Sequence, residues 1–507
     1  MPIMPDFSLP HFLKNNVDSF LAALAGIFII YLYTLHSGIG LSPDSITYMS
    51  TAENLHTSGK LVDFSGYPVM EFPAGYPFFL AGLIYLTGHD PQWFAPAINA
   101  GLFALVILTS GWIMDRFTTT STWYKRAILS CIVLSPGILE VYSMLWSETI
   151  FILLALFFFL ALHRFLDKQD NKSLLGMICL AAMACVVRLI GVTLLATGII
   201  LILAYPGRRI IRKIRTACVL GAGGSVLLIL NLVHNEIISG TLAGHREKSI
   251  RPFWENLHYF GSVLHDWLIF WNNSTALSIC LTILVAGGLS LLAIQQVISR
   301  KHFGSQQQIT LVFFAVYAIT ILIVSGISKF ERIDSRLISP LFIPMLWGAT
   351  SWIPAQWSRS TPIRRRWLMG GCLVLFLGFQ TNQLMADYAN YDGIKDAGIP
   401  GYAEDSWQQS PTVQYLKQHI RGFHAGYTIY TDADDAIFFF TGEHAVLLPH
   451  KDSPGDIADF YADPHYYIVW FNDGYDPDLI SMHNILAKEH PVVLASFVDG
   501  IIYIYPR

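Results

Sequence analysis

Two acids, Asp44 and Glu148, and four basic residues, Arg188, Lys329, Arg332 and Arg336, stand at the edges of long apolar stretches. Charges so close to a bilayer are costly unless they are solvated, paired or used. A carboxylate near neutral pH can take a proton from a hydroxyl. A guanidinium offers a planar fork to carboxylate or phosphate oxygens, whereas an ammonium is a point charge. Each residue also has a plainer reading. Asp44-Ser45 can cap a helix from Ile46 to Leu55. Glu148 can be an acid favouring the start of a helix dipole. Arg188, within Val186-Val187-Arg188-Leu189-Ile190-Gly191, can snorkel to headgroups or pair with a structural acid. Glu331, Arg332, Asp334 and Arg336 can form a local ion network.

The elements that must position these side chains are membrane spans. Of 507 residues, 53% are hydrophobic and only 13% charged, about half the charge of an ordinary soluble chain at ~25%. Apolar runs of spanning length recur from Leu21 to about Gln383. The pattern predicts a polytopic α-helical membrane protein of about eleven spans, near 19–38, 93–114, 126–145, 149–166, 173–187, 189–206, 216–234, 275–298, 308–327, 337–355 and 367–384. Residues 1–384 form the transmembrane domain and residues 385–507 a separate unit. With the N-terminus in the cytoplasm, eighteen of the 32 Lys and Arg residues fall in inside segments and eight in outside loops. That bias is the positive-inside pattern. An odd number of spans then puts the C-terminal domain outside the cytoplasm. Asp44, Glu148, Arg188, Lys329, Arg332 and Arg336 all map to the outer side. A net charge of −4 gives no nucleic-acid signal.

The first outer loop, residues 39–92, begins with an amphipathic interfacial segment carrying Tyr48. It continues into the proline-broken element Phe72-Pro73-Ala74-Gly75-Tyr76-Pro77-Phe78-Phe79-Leu80, read as half-buried. A second long outer loop, residues 235–274, contains His245, His258 and His265 without metal-ligand spacing. No metal ligand is assigned, although Asp44 with Glu148 leaves a divalent cation open. The six cysteines lie in or beside apolar spans, with no disulfide framework. That usage fits a bacterial inner membrane.

Beyond Leu384, helical and strand patterns alternate. Strands are expected at Tyr427–Tyr430, Ala445–Leu448, Tyr466–Phe471, Val492–Phe497 and Ile501–Tyr505. Helices are expected at Pro411–Ile420, Asp434–Phe440 and Asp478–Glu489. This is the signature of a small α/β domain. Asp432, Asp434 and Asp435 are spaced like a cation loop, but no Gly-x-Glu completes it. A solvated turn and cap is the plainer account.

Four ordered motifs resemble the GT-C superfamily of membrane glycosyltransferases, which includes protein O-mannosyltransferases and aminoarabinose transferases. They are Pro43-Asp44-Ser45 with Tyr48, the Pro-Ala-Gly-Tyr-Pro element from Pro73, Tyr142-Ser143-Met144-Leu145-Trp146-Ser147-Glu148, and Phe330-Glu331-Arg332-Ile333-Asp334-Ser335-Arg336 leading into a late span. O-mannosyltransferases carry an Asp-Glu pair in the first loop, whereas here Ser45 follows Asp44. The resemblance implies transfer of a sugar from a polyprenyl phosphate to an acceptor hydroxyl. It casts Asp44 as base and Glu148 as its companion. Arg188, Arg332, Arg336 and Lys329, with Tyr48, would hold the donor. The acceptor, whether protein, glycan or lipid, is not specified. A transporter of a lipid-linked glycan and a non-catalytic assembly subunit are the competing classes. A transferase requires Asp44, Glu148 and at least one of these arginines to meet; a scaffold would scatter them.

Overall fold

A computed structural model describes residues 16–118, 121–244, 249, 251–268, 273–300, 303–328, 332–472 and 478–506. Among these, seven helices are long and apolar enough to cross a membrane: Pro91–Arg116 (α4), Glu148–Lys168 (α7), Ile210–Ser239 (α10), Thr275–Ser299 (α12), Gln306–Ile327 (α13), Ser335–Arg359 (α14) and Pro362–Ala397 (α15). The expected span 126–145 is broken. It consists of Thr122–Val133 (α5) and Pro136–Ser143 (α6), bent by 51°, because Pro136 cannot continue the preceding helix. Three other expected spans are shorter apolar helices: Val17–Tyr33 (α1), Asn171–Val187 (α8) and Leu189–Ala204 (α9). The chain is a multi-pass membrane protein.

α7 is apolar on nearly every face, and so it takes the centre of the bundle. Phe151, Leu156, Phe158, Phe159 and Leu162 are all fully buried. α8, α4 and α13 pack around it. α15 is the opposite case, with Leu373, Val374 and Leu375 exposed, a surface suited to lipid. At the N-terminal end of α1, Lys125 is buried between Asp18 (2.7 Å) and Asp115 (2.5 Å). It therefore ties α1, α4 and α5 together.

The loop of residues 39–92 folds into helices Pro43–Ser58 (α2) and Gly75–Thr87 (α3), packed against each other. The loop of residues 235–274 carries an amphipathic helix, Phe253–Leu268 (α11). Its His245 lies outside the described residues. α15 runs unbroken through Leu384 to Ala397. The C-terminal sheet then has the order β2-β1-β3-β5-β4, with β1 Thr428–Thr431, β2 Val446–Leu447, β3 His465–Phe471, β4 Val492–Ser496 and β5 Gly500–Pro506. β1 pairs in parallel with β2 and β3, and β5 pairs antiparallel with β3 and β4. Helices Pro411–His419 (α16), Asp434–Thr441 (α17), Pro454–Ala462 (α18) and Met482–Lys488 (α19) accompany it. Parallel neighbours need such crossovers. β3 is central and carries a buried run from Tyr466 to Val469.

This sheet domain rests on the loop of residues 39–92 and the segment that leads into it. The Tyr402 amide donates to the Leu41 carbonyl at 2.8 Å, and the Ile399 amide donates to Ser37 Oγ at 2.9 Å. Phe438 of α17 stacks on Phe64 at 5.2 Å. Gly401 has φ +109, and a Cβ there would lie 2.1 Å from the Leu41 carbonyl oxygen. Only glycine meets both demands.

Candidate active site

α2 begins one turn earlier than expected. Ser42 is its N-cap and Pro43 its first residue, with a capping box in which Ser45 Oγ accepts from the Ser42 amide at 3.0 Å. Capping of the helix by Asp44 is thereby corrected. Proline pre-sets the first helical φ and loses no needed donor, while Ser42 and Ser45 satisfy the orphan amides. Asp44, in the first turn, is left free for other work.

The segment before Glu148 is stitched to this cap. The Gly40 amide donates to the Ser143 carbonyl (2.9 Å), and the Leu145 amide donates to the Gly40 carbonyl (3.0 Å). Ser45 Oγ donates to the Leu145 carbonyl at 3.1 Å, and Trp146 Nε1 donates to Ser42 Oγ at 2.8 Å. Asn99 holds the far side, donating to the carbonyls of Tyr142 and Met144 at 3.1 and 2.8 Å. A Cβ on Gly40 would collide with Met144 Sδ at 2.1 Å and Ile399 Cγ2 at 2.4 Å. The close approach that aligns the two acid-bearing elements therefore depends on that glycine.

Glu148 opens α7 and is completely buried. Arg188 sits at the break between α8 and α9 in extended conformation. From there its Nη1 pairs with Glu148 Oε1 and donates to Ser147 Oγ at 3.0 Å. Its Nε is buried without a hydrogen-bond partner. Arg336 arrives from the opposite side in the first turn of α14, which Asp334 caps by accepting from the Leu337 amide at 2.9 Å. Arg336 Nε donates to Glu148 Oε1 at 2.7 Å and Nη2 donates to Asp44 Oδ2 at 2.5 Å. Its guanidinium carbon lies 4.4 Å from the centre of the Trp146 ring, a cation–π contact that fixes the fork.

The result is an alternating chain of charges, Arg188–Glu148–Arg336–Asp44, with two positive and two negative members. Snorkelling is excluded for Arg188, whose partner is the buried Glu148. The plain helix-start role of Glu148 is incomplete for the same reason. Tyr48, one turn beyond Asp44, is buried edge-on to Phe72 and Tyr76, each at 5.0 Å. Burial, and then the nearby Asp44 and Glu148 charges, push its phenol well above the ordinary tyrosine range.

One of the basic residues expected here is elsewhere, and another is not among the described residues. Arg332 is exposed and lies over the Tyr259 ring at 4.9 Å. It pairs with neither carboxylate, because Asp334 starts a new helix between it and Arg336. Lys329 lies outside the described residues. Among the described residues no group of three His, Cys, Asp or Glu side chains is placed to hold a metal ion. The Arg336 guanidinium links Asp44 to Glu148. Ser42 and Trp146 are the positioning residues the motifs did not single out. The signal was present in Ser42-Pro43, a cap followed by a proline.

No family model matches the chain, and no curated protein matches it. Solved structures do. ArnT from Cupriavidus metallidurans bound to undecaprenyl phosphate superposes with a TM-score of 0.52 at 12% identity, covering 96% of this chain and 97% of that one. Its apo form gives 0.50 at 12% identity over the same shares. The archaeal oligosaccharyltransferase AglB from Archaeoglobus fulgidus, in complex with an inhibitory peptide and a dolichol-phosphate, gives 0.51 at 10% identity, covering 90% and 70%. At such low identity the likeness is one of architecture. The chain shares the fold of these structures over nearly its whole length.

Proposed function

We propose that this protein transfers a sugar from a polyprenyl phosphate to an acceptor hydroxyl at the outer face of a bacterial inner membrane. The N-terminus is then cytoplasmic, the C-terminal domain extracytoplasmic and the transmembrane unit catalytic. The observation that carries the reading is the Arg336 guanidinium bound at once to Asp44 and Glu148. It links a carboxylate able to serve as base to a fixed positive charge able to meet a phosphate. The fold neighbours add support, since one holds undecaprenyl phosphate and another a dolichol-phosphate.

Asp44 takes the acceptor proton. Arg336 bonds Oδ2, which leaves Oδ1 as the oxygen for that transfer. The acceptor oxygen attacks the anomeric carbon from the face opposite the phosphate, and the carbon–oxygen bond to phosphate breaks. The electron pair leaves with the polyprenyl phosphate, and the anomeric configuration inverts. Negative charge grows on the phosphate oxygens, where preorganised donors act most strongly. Arg336 and Arg188 supply them, the latter with a buried Nε that has no protein acceptor. Glu148 holds both guanidiniums in place, and Tyr48 backs the Asp44 turn. Membranes containing the wild-type chain are expected to transfer label from a radiolabelled polyprenyl-phosphate sugar. Membranes containing Asp44→Asn are not, and equal transfer by both would remove Asp44 as base.

A further inference from the structure

Between the membrane bundle and the C-terminal domain lies a cleft of about 400 Å³, within the ~300–1,000 Å³ typical of small-ligand sites. One wall is Leu41, from the strand-like segment that leads into α2. A second is Asp90, Gln92 and Trp93, at the start of α4. The third is Gln408 and Phe439, from the C-terminal domain. The cleft is therefore made by three separated parts of the chain, one of them the segment that enters the Asp44 helix.

Its lining has a definite chemistry. Trp93 is 68% exposed, and His89 lies against its ring at 4.3 Å. Phe439 is held from behind by Tyr402, stacked at 6.2 Å. Gln408 uses its Nε2 on the Tyr402 carbonyl at 2.8 Å, which leaves its Oε1 as an acceptor. Asp90 occupies the N-cap position of α4 without capping it, so its carboxylate remains an acceptor too. Flat aromatic faces beside amide and carboxylate groups suit a ring with apolar C–H faces and a rim of hydroxyls. Asp90, the one acid among the described lining residues, works against an anionic ligand and favours a neutral or amine-bearing one.

We propose that this cleft binds the saccharide portion of the acceptor, a neutral or amine-bearing oligosaccharide, with Trp93 and Phe439 as stacking faces and Gln408 and Asp90 as hydroxyl partners. This rests on the transferase reading and adds the acceptor class to it. The C-terminal domain thereby acquires a role, because it closes the cleft and supplies two of the recognising side chains. An exposed tryptophan beside a membrane often serves as an interfacial anchor, and the companion variant on the C-terminal domain separates the two roles.

The test uses the full-length protein in lipid nanodiscs, applied to an array of neutral, amine-bearing and anionic oligosaccharides together with unstructured peptides. Neutral or amine-bearing saccharides are expected to be retained. Trp93→Ala and Gln408→Ala should each lower that retention at least tenfold while binding undecaprenyl phosphate within twofold of wild type. No saccharide bound, peptides or anionic glycans bound instead, or saccharide binding unchanged in both variants would overturn the proposal. Loss in Trp93→Ala with none in Gln408→Ala would also overturn it, by reducing Trp93 to an anchor. Failure of the transferase reading would look different. Wild-type membranes would then transfer no label from a polyprenyl-phosphate sugar, whatever the array shows.

Discussion

Arg336 Nη2 donates to Asp44 Oδ2 at 2.5 Å across 292 positions of sequence. The same guanidinium donates through Nε to Glu148, which Arg188 holds from the other side. Two acids and two guanidiniums are thus assembled from four separate elements: the first turns of α2, α7 and α14, and the break after α8. Helix starts are good places for this work, because the rigid element behind them fixes each side chain.

The fork should be irreplaceable by a point charge. Arg336→Lys keeps the cation but cannot hold Asp44 and Glu148 with two planar donors. It is expected to weaken donor binding at least tenfold and slow transfer further. Arg336→Met leaves the buried Glu148 half-neutralised and should also destabilise the protein by about 3–5 kcal/mol, the usual result of breaking a buried pair from one side. Donor titration and thermal unfolding of the two variants check this. Lysine binding donor as arginine does would contradict it.

Trp146 and Ser42 act by position. Trp146→Phe retains a ring over Arg336 but drops the 2.8 Å bond to Ser42, and Ser42→Ala removes the same bond together with the α2 cap. Misplacement of reacting groups slows chemistry more than it weakens binding. Both variants should lower kcat roughly tenfold with the donor KM within about twofold of wild type. A rise in KM at constant kcat would place them in donor binding instead.

Asp387 is a structural liability. Its side chain is 9% exposed, and neither carboxylate oxygen has a hydrogen-bond partner. A buried polar group without partners is costly. Asp387→Asn carries no charge to bury and should raise the unfolding temperature, measured by differential scanning of the purified protein. A lower temperature would show that the carboxylate is used.

The acids of α17 give a pH signature. Burial, and next the Asp435 charge, push Asp434 up to about 7, and burial pushes Asp435 up to about 6. Unfolded aspartates titrate near ~4. Between about 4 and 7 the folded chain therefore holds protons that the unfolded chain has lost. The stability that these groups contribute is present at low pH and declines as pH rises through the folded values. Asp434→Asn stays neutral throughout. Its unfolding temperature should gain on wild type from about pH 5 to about pH 7.5, and a gain in the opposite direction would refute the burial argument.

Much of this was legible in the sequence. The charge bias and apolar runs pointed to the spans, and the expected outer location of Asp44, Glu148, Arg188 and Arg336 marked them as a group. The strands of the C-terminal domain emerged from their alternation with helices, each within a residue or two. Local chemistry was less legible. Asp44-Ser45 looked like a cap because Asp and Ser both cap helices, and only the capping box between Ser42 and Ser45 decides for Ser42. Arg336 borders the following span, which ranks it ahead of Arg332 for the phosphate, but the sequence does not show where either side chain goes. The turn capped by Asp334 aims one at Glu148 and leaves the other over Tyr259. The cleft at Trp93 was invisible, since its three walls meet only when the C-terminal domain docks on Leu41.

The most direct test of Asp44 as base separates binding from chemistry. Donor affinity and single-turnover transfer from a radiolabelled polyprenyl-phosphate sugar are measured side by side for wild type and Asp44→Asn. Loss of a positioned general base removes roughly 10²–10⁴-fold in rate. The expected result is donor binding within a few-fold of wild type, with transfer lowered by about that factor. Transfer at the wild-type rate by Asp44→Asn would contradict the account.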